Sequence, residues 1–157
     1  MRKFLNVLML VLVCTVLVAC GATKNSDSKK SDTDVQDEEV EIFNWIEDGI
    51  VSLTDEGKKM KKITVPKECK ELDMQVFSKN ENIEEVEFEN PELELPQMAF
   101  FGCKNLKKVS LPAELKNVLQ YTFSECVSLE EIVIPDTVIN IEDEAFSACK
   151  ELKSVRL

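Results

Sequence analysis

Apolar residues recur along the second half of this chain with a period of 23. Phe77, Phe100, Phe123 and Phe146 mark the period most plainly, and Cys103, Cys126 and Cys149 follow the last three at one offset. Leu72, Leu95, Val118 and Ile141 form a second column, and Ile83, Leu106, Leu129 and Leu152 a third. Val86, Val109, Ile132 and Val155 make a fourth, and Phe88, Leu111, Ile134 and Leu157 a fifth. A fixed period of this length predicts a solenoid. Residues 66–157 divide into four units of 23, beginning at Pro66, Glu89, Pro112 and Pro135.

Within a unit the pattern predicts one short strand and a return path. In Leu106-Lys107-Lys108-Val109-Ser110-Leu111 the last four residues alternate polar and apolar, so Val109 and Leu111 face the core while Lys108 and Ser110 face outward. Pro112 cannot donate to a ladder and ends the strand. A turn then leads to Leu115 and Val118 on the opposite wall, and a short helical turn delivers Phe123. One coil cannot bury its own apolar stripe; stacked coils share a continuous core.

The repeat units resemble the BspA-type leucine-rich repeat, whose pattern is P-x-x-V-x-x-I-x-x-x-A-F-x-x-C-x-x-L-x-x-V-x-L. The unit from Pro135 to Leu157 follows it closely, with Val138, Ile141, Ala145, Phe146, Cys149, Leu152 and Val155 in place. Departures are local: Val76 and Asn80 replace Ala and Cys in the first unit, Glu89 replaces Pro in the second, and Thr122 replaces Ala in the third. The resemblance implies a leucine-rich repeat solenoid, with short parallel β-strands on one face and turns and short helical segments on the other. Residues 42–65 look like the family's lead-in, a β-hairpin-like cap in which Asp48-Gly49 turns the chain and Phe43 and Trp45 cover the first coil.

The N-terminus carries a different pattern. Arg2 and Lys3 precede a mostly apolar stretch of 15 residues, Phe4 to Val18, and Leu17-Val18-Ala19-Cys20 resembles a bacterial lipobox cut before its Cys. Residues 1–19 are therefore read as a lipoprotein signal peptide; an uncleaved membrane helix is the competing reading, but a span needs about 20 apolar residues. The resemblance implies a diacylglyceryl thioether on Cys20, two chains being what makes a lipid anchor stable. This covalent lipid is the one non-protein group expected, with no other cofactor and no metal, and it places the protein on a bacterial cell membrane, outside the cytoplasm. Residues 20–41, rich in Ser, Asp, Lys and Thr, cannot form a core and read as a solvated tether.

Charge and composition narrow the function. Removal of Arg2 and Lys3 with the signal leaves 17 basic residues against 30 acidic ones, a formal charge of −13. That sign argues against nucleic acid as a partner. The chain has no His, so no Ser-His or Cys-His nucleophile can be assembled, and its four Gly cannot form a phosphate loop. The acidic run Asp32, Asp34, Asp37, Glu38, Glu39 lacks the Gly and closing Glu of a calcium loop. A non-enzymatic role is expected. Cys69, Cys103, Cys126 and Cys149 read as small buried apolar residues rather than as disulfides or zinc ligands.

The outward columns of the strand face alternate in sign: Lys61, Glu84, Lys107, Glu130, Lys153 in one, and Lys62, Glu85, Lys108, Glu131 in the next. Strands about 4.8 Å apart allow these to pair as ladders. Two apolar residues break their columns. Phe101 stands where other units carry Ser78, Ser124 and Ser147, and Val133 stands with Thr64, Glu87, Ser110 and Arg156. Phe101, Val133, Lys108, Glu131 and Arg156 are the candidate contact residues. The expected function is a lipid-anchored surface protein that binds another macromolecule, and the resemblance suggests adhesion to host or neighbouring-cell proteins. A structural component of the envelope is the alternative. Because no polar segment follows Leu157, end-to-end self-association through the last repeat is a further expectation.

Overall fold

The computed structural model describes residues 41–46 and 49–156; the signal segment, Cys20, the tether up to residue 40, Asp48 and Leu157 lie outside the described residues. The strands are β1 (Phe43–Ile46), β2 (Ile50–Leu53), β3 (Lys62–Val65), β4 (Glu71–Leu72), β5 (Glu85–Phe88), β6 (Lys108–Ser110), β7 (Asn117–Val118), β8 (Glu131–Val133), β9 (Asn140–Ile141) and β10 (Ser154–Arg156). They form a β-solenoid of about five turns. One wall takes a strand from each coil. β3, β5 and β6 pair in parallel, β8 and β10 do the same, and every register step is 23 residues, as in Ile63↔Val86↔Val109 and Ile132↔Val155. The expected register of Ile63 with the columns is therefore present.

The opposite wall is thinner. β7 pairs with β9, and β4 pairs with β2, the second strand of the antiparallel β1–β2 hairpin that begins the described fold. Phe43 packs on the core as expected, whereas Trp45 is 39% exposed. Trp45 does not cover the first coil: β1 is the outer strand of the hairpin, bonded only to β2.

The path from the second wall back to the first consists of turns. Three successive bonds from N–H(i) to O(i−3) appear in each unit, for example Thr122 to Leu119, Ser124 to Tyr121 and Cys126 to Phe123. They do not grow into the helical turn expected there, because two residues per unit are left-handed. Gln75, Met98, Tyr121 and Glu144 form one such column and Lys79, Gly102, Glu125 and Ala148 another, all with φ between 56° and 69°. A helix cannot pass through such a residue. Helix among the described residues is confined to short 3₁₀ turns such as Gly57–Lys59.

The same turns aim the phenylalanines inward. Phe77, Phe100 and Phe123 are fully buried, and rings stack down the axis at centroid separations of 4.9, 5.2 and 5.4 Å, ending on Phe146. Interplanar angles of 11°, 7° and 6° follow from the near-translational repeat. Phe88 meets the edges of Phe77 and Phe100. Backbone bonds from Phe77 to Ala99, Phe100 to Thr122 and Phe123 to Ala145 clamp each coil to the next.

The cysteine column has a second task beyond filling space. Cys103, Cys126 and Cys149 donate their thiol hydrogens to the carbonyls of Phe77, Phe100 and Phe123 one coil earlier, at 2.9, 3.1 and 3.0 Å. Asn80, the first unit's replacement for Cys, reaches the preceding turn at a different carbonyl: its amide donates to Lys58 O at 3.1 Å and its side-chain carbonyl accepts from the Asn82 and Ile83 amides. The four thiols at 69, 103, 126 and 149 are free. Burial pushes Cys69 up to about 11 and Cys103 up to about 12, and raises Cys126 and Cys149 as well.

Candidate functional site

The outward side of the strand wall carries the chain's unusual charge balance. Six cations, Lys61, Lys62, Lys107, Lys108, Lys153 and Arg156, stand there against five carboxylates, Glu84, Glu85, Glu87, Glu130 and Glu131, in a protein whose formal charge is −11. Glu84 bridges Lys61 and Lys107, both at 2.7 Å, and these two ammonium groups hold its carboxyl at about 2, well below the usual carboxylate value. Lys62 reaches Glu85 and Glu87, and Lys153 meets Glu130 at 2.9 Å. The first column thus forms its expected ladder through three strands, the second pairs only in its first two, and ion pairs appear again between the last two strands.

Between β6 and β8 they stop. Lys107 does not pair with Glu130, and Lys108 does not pair with Glu131, whose carboxylate turns to Arg156 at 3.1 Å. Among the described residues Lys108 has no carboxylate within ion-pair distance, alone among the six cations. The backbone breaks at the same place. Glu84 N–H donates to Lys61 O, Lys107 to Glu84 O and Lys153 to Glu130 O, but Glu130 makes no such bond to Lys107, and β6 and β8 are not hydrogen-bonded neighbours.

A side-chain difference accompanies the break. Asn82 donates its amide to Lys58 O at 3.0 Å, and Asn105 donates to Glu81 O at 2.6 Å, each tying its coil to the previous one just ahead of the strand. The residue one period later is Ser128. Its hydroxyl stands one carbon from the backbone and makes no equivalent bond to Lys104 O among the described residues. The clamp is missing where the ladder parts.

The parting leaves a cleft of about 400 Å³ lined by backbone and side chains of β6, β8 and the turns that follow, with Lys108, Leu111, Glu131 and Val133 prominent on it. Val133 is 56% exposed and Arg156 sits beside it in register on β10. Four of the five candidate residues, Lys108, Glu131, Val133 and Arg156, therefore converge on one place. Phe101 does not join them. It lies half-buried in the turn wall, with Lys79 Nζ 5.9 Å from its ring centroid, and so is less open than its sequence position suggests. Ser110 and Ser128 were not legible as parts of this site; the Asn82, Asn105, Ser128 column was the available signal.

At the other end of the stack the buried columns come to the surface. Val155 and Ile141 are each 42% exposed, whereas Ile132 and Val118 one coil earlier are buried.

A stack of short parallel strands with a 23-residue step, a phenylalanine spine and an open outward wall defines a leucine-rich repeat protein. The chain belongs to the family described as BspA type leucine rich repeat region, which matches residues 55–157 in six copies. A leucine rich cell surface protein from Faecalibacterium prausnitzii has the same fold, with a TM-score of 0.61 at 18% identity over 72% of this chain and 30% of that one. The pneumococcal vaccine antigen PcpA is similar at 28% identity and a TM-score of 0.59, over 75% of this chain and 31% of its own. A leucine rich repeat protein from T. pallidum gives 25% identity and a TM-score of 0.54, over 73% of this chain and 67% of that one. This chain thus spans less than a third of the length of the first two. No curated protein matches it significantly.

Proposed function

We propose that this is a lipid-anchored cell-surface protein that binds another protein through the outward strand wall, at the cleft between β6 and β8. The observation that carries this reading is the convergence of Lys108, Glu131, Val133 and Arg156 on the one junction where ladder bonds and ion pairs lapse. Polar groups released from structural pairing are available to a ligand, and an adjoining exposed apolar side chain supplies area to bury. Membership of a repeat family with a cell-surface relative supports display outside the cell. The domain plan that goes with it is a signal peptide over 1–19, a tether over 20–41, a cap over 42–65 and repeats over 66–157. Capture of a specific protein from surface extracts by the full chain tests the binding reading; an extract that yields nothing above an unrelated acidic protein contradicts it.

The anchor has its own test. Cys20→Ala is expected to abolish labelling by fatty acid and to move the protein from the detergent phase to the aqueous phase, while circular dichroism of the repeats is unchanged. The lipobox and the buried core share no residue. Retention of the variant in the detergent phase would mean that the apolar segment itself holds the membrane.

A further inference from the structure

We infer that the β6–β8 cleft takes an acidic linear peptide segment, in which a carboxylate pairs with Lys108 while an adjoining apolar side chain covers Val133 and Leu111. This rests on the binding reading above and names its partner's chemistry. Three observations select it. Lys108 is the one cation of the strand wall without a carboxylate among the described residues, and a carboxylate from outside completes the Lys62, Glu85, Lys108 alternation that the turn of Glu131 towards Arg156 leaves open. On the outward wall cations outnumber carboxylates by six to five in a chain of formal charge −11, so an acidic segment meets less repulsion there than the overall charge would impose. Finally, Val133 is 56% exposed on the same cleft as Lys108, so one extended segment lying across the outward face of β6 and β8 reaches the cation and the apolar side chain together.

The side chains divide the work by position. Lys108 and Ser110 stand on the β6 edge and Glu131 and Val133 on the β8 edge, with Leu111, Ala113 and Pro135 closing the end of the cleft. Glu131 is neutralised by Arg156 at 3.1 Å, which removes the charge that would otherwise repel an acidic residue. Ser128→Asn restores the residue found at 82 and 105, and the clamp it adds to the preceding coil is expected to draw β8 towards β6 and narrow the cleft.

The test uses the purified full chain and fluorescein-labelled nine-residue peptides with alternating Glu and Leu, alongside versions in which every Glu is Lys or every Leu is Ser. Fluorescence anisotropy is expected to register binding of the Glu-Leu peptides alone. Binding is expected to weaken at least tenfold in Lys108→Glu and at least fivefold in Ser128→Asn, with Lys67→Glu, a charge-matched change on the far side of the β3 turn, leaving it unaltered. Because Lys108 is exposed and Ser128→Asn adds a bond, both variants are expected to fold, and their melting curves check this. Equal binding to Lys108→Glu and to the parent chain overturns the inference, as does equal binding of the Lys and Glu peptides. If the full chain captures a protein from surface extracts and the Glu-Leu peptides neither bind nor compete, the binding reading stands and the acidic-segment inference falls.

Discussion

Replacing Phe123 with Ala is expected to lower stability by about 3–5 kcal/mol, a large fraction of what a domain of this size possesses. Phe123 is fully buried with one ring on each side, Phe100 at 5.2 Å and Phe146 at 5.4 Å. Its removal opens a cavity and interrupts the stack in a fold where each coil is stabilised mainly by its neighbours. The neighbouring change Phe101→Ser is expected to cost less than about 1 kcal/mol, since that ring is half-buried and its distinctive contact is with the Lys79 ammonium. Urea melts of the two variants check the contrast; losses of equal size would mean that the inside and outside of the coil have been assigned wrongly.

Alkaline conditions are expected to destabilise the protein steeply above pH 9. Burial holds Cys103 at about 12 and raises Cys126 further, while an unfolded chain ionises its thiols near 9. The folded value is raised, so the stability tied to these protons is fully present below pH 9 and is lost as pH climbs towards the folded values. Each thiol contributes about 1.4 kcal/mol per pH unit in that window, so two remove about 5 kcal/mol between pH 9 and pH 11. Urea melts at pH 8, 9, 10 and 11 are expected to show stability nearly flat to pH 9 and steep thereafter. The slope is expected to flatten in a Cys103→Ala, Cys126→Ala protein, and an unchanged slope in that variant would mean these thiols are not the titrating groups. The same burial is expected to keep Cys103 and Cys126 unreactive towards alkylating reagents at pH 8 until the coils are unfolded.

The repeat columns made the architecture readable because a solenoid translates sequence period directly into position. Ile63, Val86 and Val109 stand side by side in space for the reason that they stand 23 residues apart in the chain, so strand register followed from arithmetic. What escaped the sequence was carried by backbone geometry and by single polar residues. The left-handed columns include Gln75, Met98, Tyr121 and Glu144, none of which announces a positive φ, and only Gly102 gave a hint. Charge alternation predicted an unbroken ladder because it counts sign and ignores spacing. The break coincides with Ser128, which carries a hydroxyl where Asn82 and Asn105 carry the carboxamides of their clamps, and it shows at Lys108 and Glu131 rather than at Ser128 itself. Trp45 was misplaced for a related reason: a hairpin of known sequence does not reveal which strand docks on the coil, and β2 does so.

The most direct measurement is photo-crosslinking from inside the cleft. A benzoylphenylalanine introduced at Val133 in the full chain, irradiated on cells that display it, is expected to yield a covalent adduct with a second protein, and an excess of the Glu-Leu peptide is expected to suppress it. The same probe at Met74, more exposed than Val133 but beside β4 on the opposite wall, is expected to yield none. Adducts of equal strength from both positions, or from Met74 alone, would contradict the assignment of binding to the strand wall between β6 and β8.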